Sequence, residues 1–477
     1  MKANRIVAAM AAVSVGLGAS ATLSAVERVD LGDGYGKLWN AKLNAEIDAR
    51  IERCRKADFA AEGFPAGAEV TVEQVSSAFK IGCGMLNFGQ TGDDAYEAEY
   101  RRMFGKDGLF DAATIPFYWK HMEPVQGQIR YTAGPEDHPE FWKKFLKGRT
   151  IVRWDDPDCP NAWRRPSPDG PVAFCEANGI AMHGHVIIYP HYHPDWVKAT
   201  PTKEDQQKVF DRRIYDIATY YRGRIPQWDV VNESVNRSCT VDNPNDDVCW
   251  GNPSLLVPWD YTFKAYRLAA ELFPADVRLC INDSWREIYP PFIRQLKRRG
   301  AKIDVVGIQM HIFSEEEGLT VAKGEGYANG TFWDPAKHIE MFRKLDTCHA
   351  PIHVSEVTIP ALHKYLPADK ADELQARMLR DYYRLWFSWP SVCRITYWNP
   401  IDNFGMEIMY SGFLTRDFRK KPVYHTLRKL VHEEWRTHAK VTADAKGAIA
   451  FRGFKGGYRL SWKNAAGETE SREVTVR

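Results

Sequence analysis

The chain has 477 residues, of which 44% are hydrophobic and 13% aromatic, and its formal net charge at pH 7 is +2. A charge this close to zero argues against nucleic acid or another polyanion as the main partner. The length suits either two ordinary domains or one large α/β barrel with appendages, and the abundant aromatic side chains suit stacking on flat, uncharged rings or a large core.

Residues 1–25 have the layout of a secretory signal peptide. Two basic residues precede an apolar run over residues 6–18, and small residues follow, with cleavage expected after Ala21 or Ala25. The apolar run is too short to cross a bilayer, and no other segment approaches membrane length. Removing this leader brings the formal charge to zero. We therefore expect a secreted or periplasmic protein without a membrane span.

The next part of the chain predicts a (β/α)8 barrel, an α/β fold. Residues 26–78 predict an N-terminal extension with a helix over 38–55 and a strand near Val70. Residues 79–438 alternate short apolar runs with amphipathic segments, as parallel βα units do, and eight such units predict closure. An open doubly wound sheet is the alternative, but its Gly-x-Gly-x-x-Gly turn is missing. Expected strands cover residues 79–85, 112–118, 181–188, 228–231, 277–281, 305–310, 352–355 and 395–398, and expected helices cover 203–221, 261–272, 291–299, 336–346, 369–386 and 422–434.

Residues 439–477 predict a small C-terminal β appendage. Three short strands with Gly and Asn turns cannot hold a core alone, so we expect them to pack on the barrel or on the strand near Val70. The chain also has nine Cys, and in an exported protein some should pair. Cys239–Cys249 and Cys159–Cys175 are the plausible pairs, because each flanks one loop. The Pro- and Asp-rich loop 148–171 is long enough to be either functional or disordered.

Two strand ends carry the carboxylates that bear on function. The segment Gln227–Ser234 is an apolar run that ends in Asn232 and Glu233, and the seventh predicted strand ends in Glu356. Cleavage of a glycosidic bond needs one protonated and one ionised carboxyl group facing the same sugar. Strands four and seven face each other across a barrel mouth, so the two glutamates are a candidate catalytic pair. A helix cap or a structural ion pair is the alternative interpretation of each glutamate alone.

The chain resembles glycoside hydrolase family 10, the retaining endo-β-1,4-xylanases, from about Phe79 to Glu434. Two fairly specific motifs carry the resemblance: Trp-Asp-Val-Val-Asn-Glu, which ends at Glu233, and His-Val-Ser-Glu-Val around Glu356. Further matching segments are His183-Gly184-His185, Pro194-Asp195-Trp196, Asn282-Asp283, Gln309-x-His311 and Lys421-Pro422-Val423-Tyr424.

The resemblance implies that Glu233 is the general acid/base and Glu356 the nucleophile of a double displacement on internal β-1,4 linkages of xylan or a decorated xylan. It implies that Asn232 binds the sugar 2-hydroxyl, that His311 hydrogen-bonds Glu356, and that Trp398 forms the floor of the subsite for the cleaved sugar. We expect no cofactor, a polysaccharide or oligosaccharide as the partner, and a monomer. The remaining expected substrate-binding residues are His185, Gln309, Trp119, Tyr189 and Trp196, with bracing of His311 as the alternative role for Gln309.

The chain departs from the family where the sugars before the cut are held. The family's Glu-Asn-x-x-Lys-Trp is replaced by Thr-Ile-Pro-Phe-Tyr-Trp, which puts Tyr118 at the Lys position. The family's Trp-His-Ser-Gln becomes Tyr189-Pro190-His191-Tyr192, and its Trp-Gly becomes Trp398-Asn399. Two alternatives therefore stay open: the same mechanism on a different β-linked glycan or oligosaccharide, and a non-catalytic carbohydrate-binding relative.

A metal site is a further interpretation of the histidines. His183 and His185 are alternate residues and face the same way on a strand, as metal ligands can. Such a site needs ligands on later strands, for which His311 and Asp402 could be recruited. Because the resemblance already implies roles for His185 and His311, we expect no metal.

Overall fold

A computed structural model describes residues 29–148, 165–235, 257–258, 260–328, 331–404 and 410–477. The expected leader, most of the loop 148–171 and the Cys239–Cys249 pair lie outside these residues. No helix in the described part of the chain is both long and apolar enough to cross a bilayer.

Eight parallel strands close into a barrel, as the sequence predicts. Each pairs with its neighbours in chain order, and the last pairs with the first. A short hairpin of β9 (Tyr327–Ala328) and β10 (Thr331–Phe332) interrupts the series. The barrel strands are β3 (Lys80–Gly84), β4 (Ala112–Pro116), β5 (Ala181–His185), β6 (Gln227–Asn232), β7 (Arg278–Ser284), β8 (Val305–His311), β11 (Ile352–Thr358) and β12 (Val392–Tyr397).

Helices surround the barrel and bury their apolar faces against it. The longer helix between the third and fourth barrel strands, α8 (Lys203–Tyr221), begins at a Thr202 cap whose hydroxyl accepts from the amide of Asp205, and its buried face includes Phe210 and Ile214. The helices are α1 (Gly34–Leu38), α2 (Ala41–Arg55), α3 (Asp94–Arg102), α4 (Trp119–Met122), α5 (Pro139–Leu146), α6 (Asp169–Asn178), α7 (Asp195–Lys198), α8 (Lys203–Tyr221), α9 (Tyr261–Leu272), α10 (Tyr289–Arg298), α11 (Glu315–Ala322), α12 (Pro335–Asp346), α13 (Ala368–Ser388) and α14 (Pro422–Lys429), with a π turn at Leu430–Glu434.

Close backbone packing in the barrel depends on Gly184. A Cβ atom at this position would lie 2.2 Å from Cε3 of Trp228 on the neighbouring strand. The indole of Trp228 is fully buried, so it has no room to move aside. Glycine between the two histidines of β5 therefore lets that strand pair with β6.

The two chain ends form one β unit beside the barrel. Strand β2 (Glu69–Ser77) lies between β13 (His438–Thr442) and β15 (Gly456–Lys463), and β16 (Thr469–Val476) completes this sheet. Strand β1 (Lys56–Glu62) pairs with β14 (Ala448–Phe454). The prediction that the appendage packs on the strand near Val70 is confirmed, whereas the sequence did not predict β1 or β13. The unit has its own apolar core, formed by Phe64, Val70, Val72, Ala443, Ile449, Tyr458, Leu460 and Val476.

One predicted disulfide is wrong. Cys175 is a free, buried thiol on α6, and its sulfur lies 3.8 Å from the sulfur of Met85. Burial raises the pKa of this thiol to about 12, so it stays protonated and packs as a small apolar side chain.

Candidate active site

Four neighbouring strands bring polar side chains to the same end of the barrel. Parallel strands of one barrel end on the same face, which is where barrel enzymes carry their active sites. Glu233 is half-buried at this face and the others are buried. The side chains are Asn232 and Glu233 from β6 and its end, Asn282 from β7, Gln309 and His311 from β8, and Glu356 from β11.

The side-chain amide of Gln309 lies between the two predicted catalytic carboxylates. Its nitrogen is 3.1 Å from Oε1 of Glu233 and 3.2 Å from Oε1 of Glu356, so it can donate to both. Together these two distances hold the carboxylate oxygens within about 6.3 Å of each other. Inverting glycosidases keep their carboxyl groups about 6.5–9.5 Å apart, and retaining enzymes about 5–5.5 Å. A spacing of this size between the two Oε1 atoms agrees with a closely placed, retaining pair.

Three side chains donate to the carboxylate of Glu356. The amide of Asn282 lies 2.5 Å from Oε1, next to the Gln309 contact, and Nε2 of His311 lies 3.1 Å from Oε2. The hydroxyl of Thr358 lies 2.8 Å from Nδ1 of His311 and sets the tautomer by donating to it, so that Nε2 carries a proton for Glu356. The predicted His311–Glu356 contact is confirmed. A carboxylate with this many donors is held in one orientation.

Glu233 sits on a constrained turn. Its φ of 52° lies in the left-handed region, which side chains other than glycine rarely adopt. Its amide donates to the carbonyl of Asn282 at 2.8 Å, which pins the turn to the next strand. The hydroxyl of Tyr189 donates to Oε2 at 2.9 Å, and the amide of Asn232 lies 3.4 Å from Oε1. Glu233 is therefore held on both oxygens, yet it stays partly open to the mouth of the barrel.

Comparison with known proteins agrees with this geometry. The model of glycosyl hydrolase family 10 matches residues 161–429, more than half of the chain. The chain belongs to glycosyl hydrolase family 10. It is 25% identical over 282 residues to endo-1,4-beta-xylanase B of Thermotoga neapolitana, a match that covers 55% of this chain and 73% of the relative. It is 23% identical over 295 residues to anti-sigma-I factor RsgI6 of Acetivibrio thermocellus, a match that covers 60% of this chain and 33% of the relative.

A solved structure of the family supports the fold. Xylanase 10B from Thermotoga petrophila in complex with xylobiose superimposes with a TM-score of 0.53 at 19% identity, covering 75% of this chain and 95% of that structure. The chain spans about a third of one curated relative and about three-quarters of the other.

Behind the family 10 carboxylates lies a buried chain of two histidines and an aspartate. One oxygen of Asp229, Oδ2, is 2.7 Å from Nε2 of His183 and 2.8 Å from Nδ1 of His185. The other ring nitrogen of His185 lies 3.9 Å from Oε1 of Glu356. These side chains could also hold a metal ion by their spacing. However, both rings contact the same carboxylate oxygen, and Nδ1 of His183 accepts from the side-chain amide of Gln227 at 3.0 Å, so both nitrogens of that ring are already hydrogen-bonded.

The charges in this chain follow from burial and partners. Burial lowers the pKa of His183, which favours the neutral ring. Burial opposes a charge on His185 too, but the bond to Asp229 and the charge of Glu356 outweigh it and raise the pKa of His185. Burial alone would raise the pKa of Asp229, yet the two histidines lower it well below the usual value. His185 is thus favoured as a cation between two anions, and it orients positive charge toward Glu356.

Asp283 is a buried acid beside Glu233. Burial, with the nearby charge of Glu233, raises the pKa of Asp283 to about 8. Its two oxygens accept from the amides of Val235 at 2.9 Å and Ser284 at 2.8 Å. Because Val235 comes two residues after Glu233, Asp283 helps to hold the turn that carries Glu233. Sequence matching had marked Asp283 only as part of a motif.

Two predicted substrate-binding residues pack against each other. Trp119 is 2% exposed and packs against Phe210 on the outer helix α8, and its indole nitrogen donates to Glu123 at 2.8 Å. Trp196 packs edge-on against Trp119 and donates to the carbonyl of Glu123 at 2.9 Å. No contact of either indole with the two carboxylates occurs within the described residues, and substrate binding by Trp119 and Trp196 stays a prediction.

Trp398 lies where the resemblance implies. Its ring is edge-on to His185 at 5.3 Å and to His311 at 6.0 Å between centroids, so it lies beside the two histidines nearest Glu356. Its role as a sugar platform stays a prediction. Gln309 is not a brace for His311, as the alternative had it, since its amide nitrogen contacts Asn232 and the two carboxylates.

An aromatic wall replaces the family's polar sugar-binding groups. Tyr118, at the Lys position, lies 5.5 Å from His185 and 5.0 Å from Tyr192 between ring centroids, and Tyr192 stacks on Tyr189 at 5.3 Å and 23°. Leu86 packs against the same cluster. Sequence reasoning identified the substitutions but not this joint wall, because it forms from the ends of three different strands.

Proposed function

We propose that the protein is an exported, retaining glycoside hydrolase that cleaves internal β-1,4 linkages of xylan or a decorated xylan. The observation that carries the proposal is the pair of carboxylates, Glu233 and Glu356, bridged within about 6.3 Å by the amide of Gln309. Family membership agrees with it, and a relative named endo-1,4-beta-xylanase B supports xylan as the substrate class.

In the first step, Glu356 attacks the anomeric carbon while Glu233 protonates the leaving oxygen. The C1–O glycosidic bond breaks, its electron pair takes the proton, and a covalent glycosyl-enzyme forms on Glu356. Asn282, Gln309 and His311 hold the attacking carboxylate by hydrogen bonds at 2.5–3.2 Å. This fixed orientation lowers the cost of reaching the transition state.

In the second step, a water attacks the same carbon from the side of Glu233. Glu233 is now a carboxylate and removes a proton from that water, while the bond to Glu356 breaks and restores the ionised nucleophile. Two inversions give net retention. The half-buried position of Glu233 suits this step, because a carboxyl that meets both the leaving group and water must face the open mouth.

The residues on the non-reducing side of the cut favour a second candidate substrate. Tyr118 and Tyr192 stand at the family's Lys and Gln positions and Tyr189 at its Trp position, so aromatic rings replace two of the family's polar groups. This observation favours a β-linked glycan, or a short oligosaccharide, that is held by stacking rather than by many hydroxyl contacts. The same two carboxylates would perform the same chemistry on it.

Reducing-sugar release tests the reaction and the substrate together. We expect release from xylan or arabinoxylan by wild type and a loss of at least about 10⁴-fold in Glu356→Ala, since removal of a nucleophile abolishes the covalent step. Mixed-linkage glucan and an aryl xylobioside complete the panel. Cutting of another glycan with both xylans untouched would show that xylan is the wrong substrate, and equal release by the variant would show that this pair does not catalyse.

Two further measurements address the stereochemistry and export. Proton NMR of the first product should show the β-anomer, as retention requires. The N-terminus of protein recovered outside the cytoplasm should begin after Ala21 or Ala25 if the leader is cleaved as the sequence predicts. An α-anomer as first product would contradict double displacement.

A further inference from the structure

The two oxygens of Glu233 have different partners. Oε1 lies 3.1 Å from the amide nitrogen of Gln309 and 3.4 Å from that of Asn232. Amide N–H groups donate hydrogen bonds and cannot accept one from a protonated carboxyl group. When Glu233 is protonated, its proton therefore belongs on Oε2, the oxygen that lies 2.9 Å from the hydroxyl of Tyr189.

A tyrosine hydroxyl suits both protonation states of Glu233. It accepts a hydrogen bond from a carboxylic acid through its oxygen and donates one to a carboxylate through its proton. Burial and the charge of Glu233 raise the pKa of Tyr189 well above its usual value, so the phenol keeps its proton. Its ring is held by stacking on Tyr192 at 5.3 Å and by Tyr118 at 6.4 Å between centroids.

We propose that Tyr189 is a positioning residue for the acid/base: its hydroxyl accepts from protonated Glu233 before the first step and donates to the Glu233 carboxylate after it. The inference rests on the proposed function and deepens it. Tyr189 stands where the family's motif has Trp, so this hydroxyl is a feature of this chain rather than of the shared motif.

The hydrogen bond between Tyr189 and Glu233 reverses its direction as the proton moves during the reaction. In the first step the Oε2 proton turns from Tyr189 to the glycosidic oxygen as the C1–O bond breaks and Glu356 bonds to C1. Oε2, now negative, accepts from the Tyr189 hydroxyl. In the second step Oε2 takes a proton from the attacking water as the bond between C1 and Glu356 breaks, and the hydroxyl of Tyr189 becomes the acceptor again.

Other titratable groups also face Glu233 and share its electrostatics. Within the described residues they are Asp283 on β7, Glu356 on β11 and His185 on β5. None of them changes covalently when the Tyr189 hydroxyl is removed. A shift in the pH dependence of Tyr189→Phe, which keeps the ring, is therefore assigned to the lost hydrogen bond.

The test is the pH profile of kcat/KM for wild type and Tyr189→Phe on an aryl xylobioside. A charge-assisted hydrogen bond is stronger than a neutral one, so loss of the hydroxyl destabilises the carboxylate more than the acid. We expect the alkaline limb to move to higher pH by about half a unit or more. We also expect kcat to fall about tenfold, because the base of the second step is less well held. Tyr215→Phe, on an exposed helix face, is the matched control.

A second variant distinguishes the effect of the hydrogen bond from a simple loss of packing. Replacing Tyr189 by 3-fluorotyrosine keeps the shape and makes the hydroxyl a stronger donor, so the alkaline limb should move to lower pH. An alkaline limb within about 0.2 unit of wild type in both variants, with or without a loss of rate, overturns the inference. If wild type cleaves and Glu356→Ala does not, that outcome overturns the Tyr189 role alone and leaves the proposed function standing.

Discussion

Replacement of Gln309 by Met removes the one amide that bridges the two carboxylates and keeps a side chain of similar length. Two unit charges 6.3 Å apart repel by about 2.6 kcal/mol at an effective dielectric constant of about 20. A hydrogen bond to a charged group contributes about 1.5–3 kcal/mol. In the first step the amide offsets part of the repulsion between the charge that remains on Glu356 and the charge that develops on Glu233.

We therefore expect Gln309→Met to lower kcat/KM by about 10- to 100-fold, which corresponds to roughly 1.4–2.7 kcal/mol. The loss should appear mainly in kcat, because the interaction is strongest while charge develops. The assay is initial-rate kinetics on an aryl xylobioside, with thermal unfolding to confirm the fold and Gln207→Met on α8 as the control. A kcat/KM within threefold of wild type, in a folded variant, would refute the bridging role.

Two stability predictions follow from buried contacts. Because the pKa of Asp283 is raised to about 8 in the folded state, its contribution to stability is present below pH 4 and is lost as pH rises toward 8. The free energy of unfolding of Asp283→Asn minus that of wild type should thus increase by at least about 1 kcal/mol between pH 5 and pH 8, as measured by urea titration. A difference that stays constant over this range would contradict the raised pKa. Gly184→Ala should destabilise by about 3 kcal/mol or more, because the added methyl would meet the Trp228 indole at 2.2 Å. Gly36→Ala, whose methyl would meet its nearest neighbour at 3.7 Å, should change the melting temperature little, and equal effects of the two changes would contradict the packing argument.

The barrel was predictable because its signal is repeated. Eight apolar runs separated by amphipathic segments each predict a strand, and all eight occur in the structure within a few residues of the expected ends. The helices expected at 203–221 and 261–272 have the same bounds in the structure. Strands β1 and β13 were missed because neither has a fully buried residue and the pairing of each comes from the distant chain end.

The sequence predicted which polar side chains meet at the barrel mouth better than it predicted the aromatic contacts. Two motifs singled out Glu233 and Glu356, which the structure brings to the same amide of Gln309, and His311 makes its expected hydrogen bond to Glu356. The position of Trp119 could not be read from its motif, because a residue that follows a barrel strand can point either to the mouth or to the surrounding helices. The turn into α4 decides between them, and the indole of Trp119 ends against Phe210.

The two strands that carry Glu233 and Glu356 share a backbone irregularity that simple alternation cannot predict. On β6 the pairing with β7 skips Val230, and on β11 the pairing with β8 skips Ser355. In a regular strand, residues three apart face opposite sides. The extra residue lets Asp229 and Asn232 both contact groups inside the barrel, since Asp229 binds the β5 histidines and Asn232 bonds to the amide of the next strand.

The same offset occurs around the nucleophile. His353 lies 5.2 Å from His183 across the barrel, and Glu356, three residues later, faces the same interior. A bulge that inserts one residue re-aims the side chains after it, and such bulges occur next to active sites. Each bulge therefore separates a buried layer that braces the site from the layer that carries the carboxylates. This explains how one short strand can supply both a support and a catalytic group, and why the aromatic wall on β4 and β5 can change while the pair from β6 and β11 stays in place.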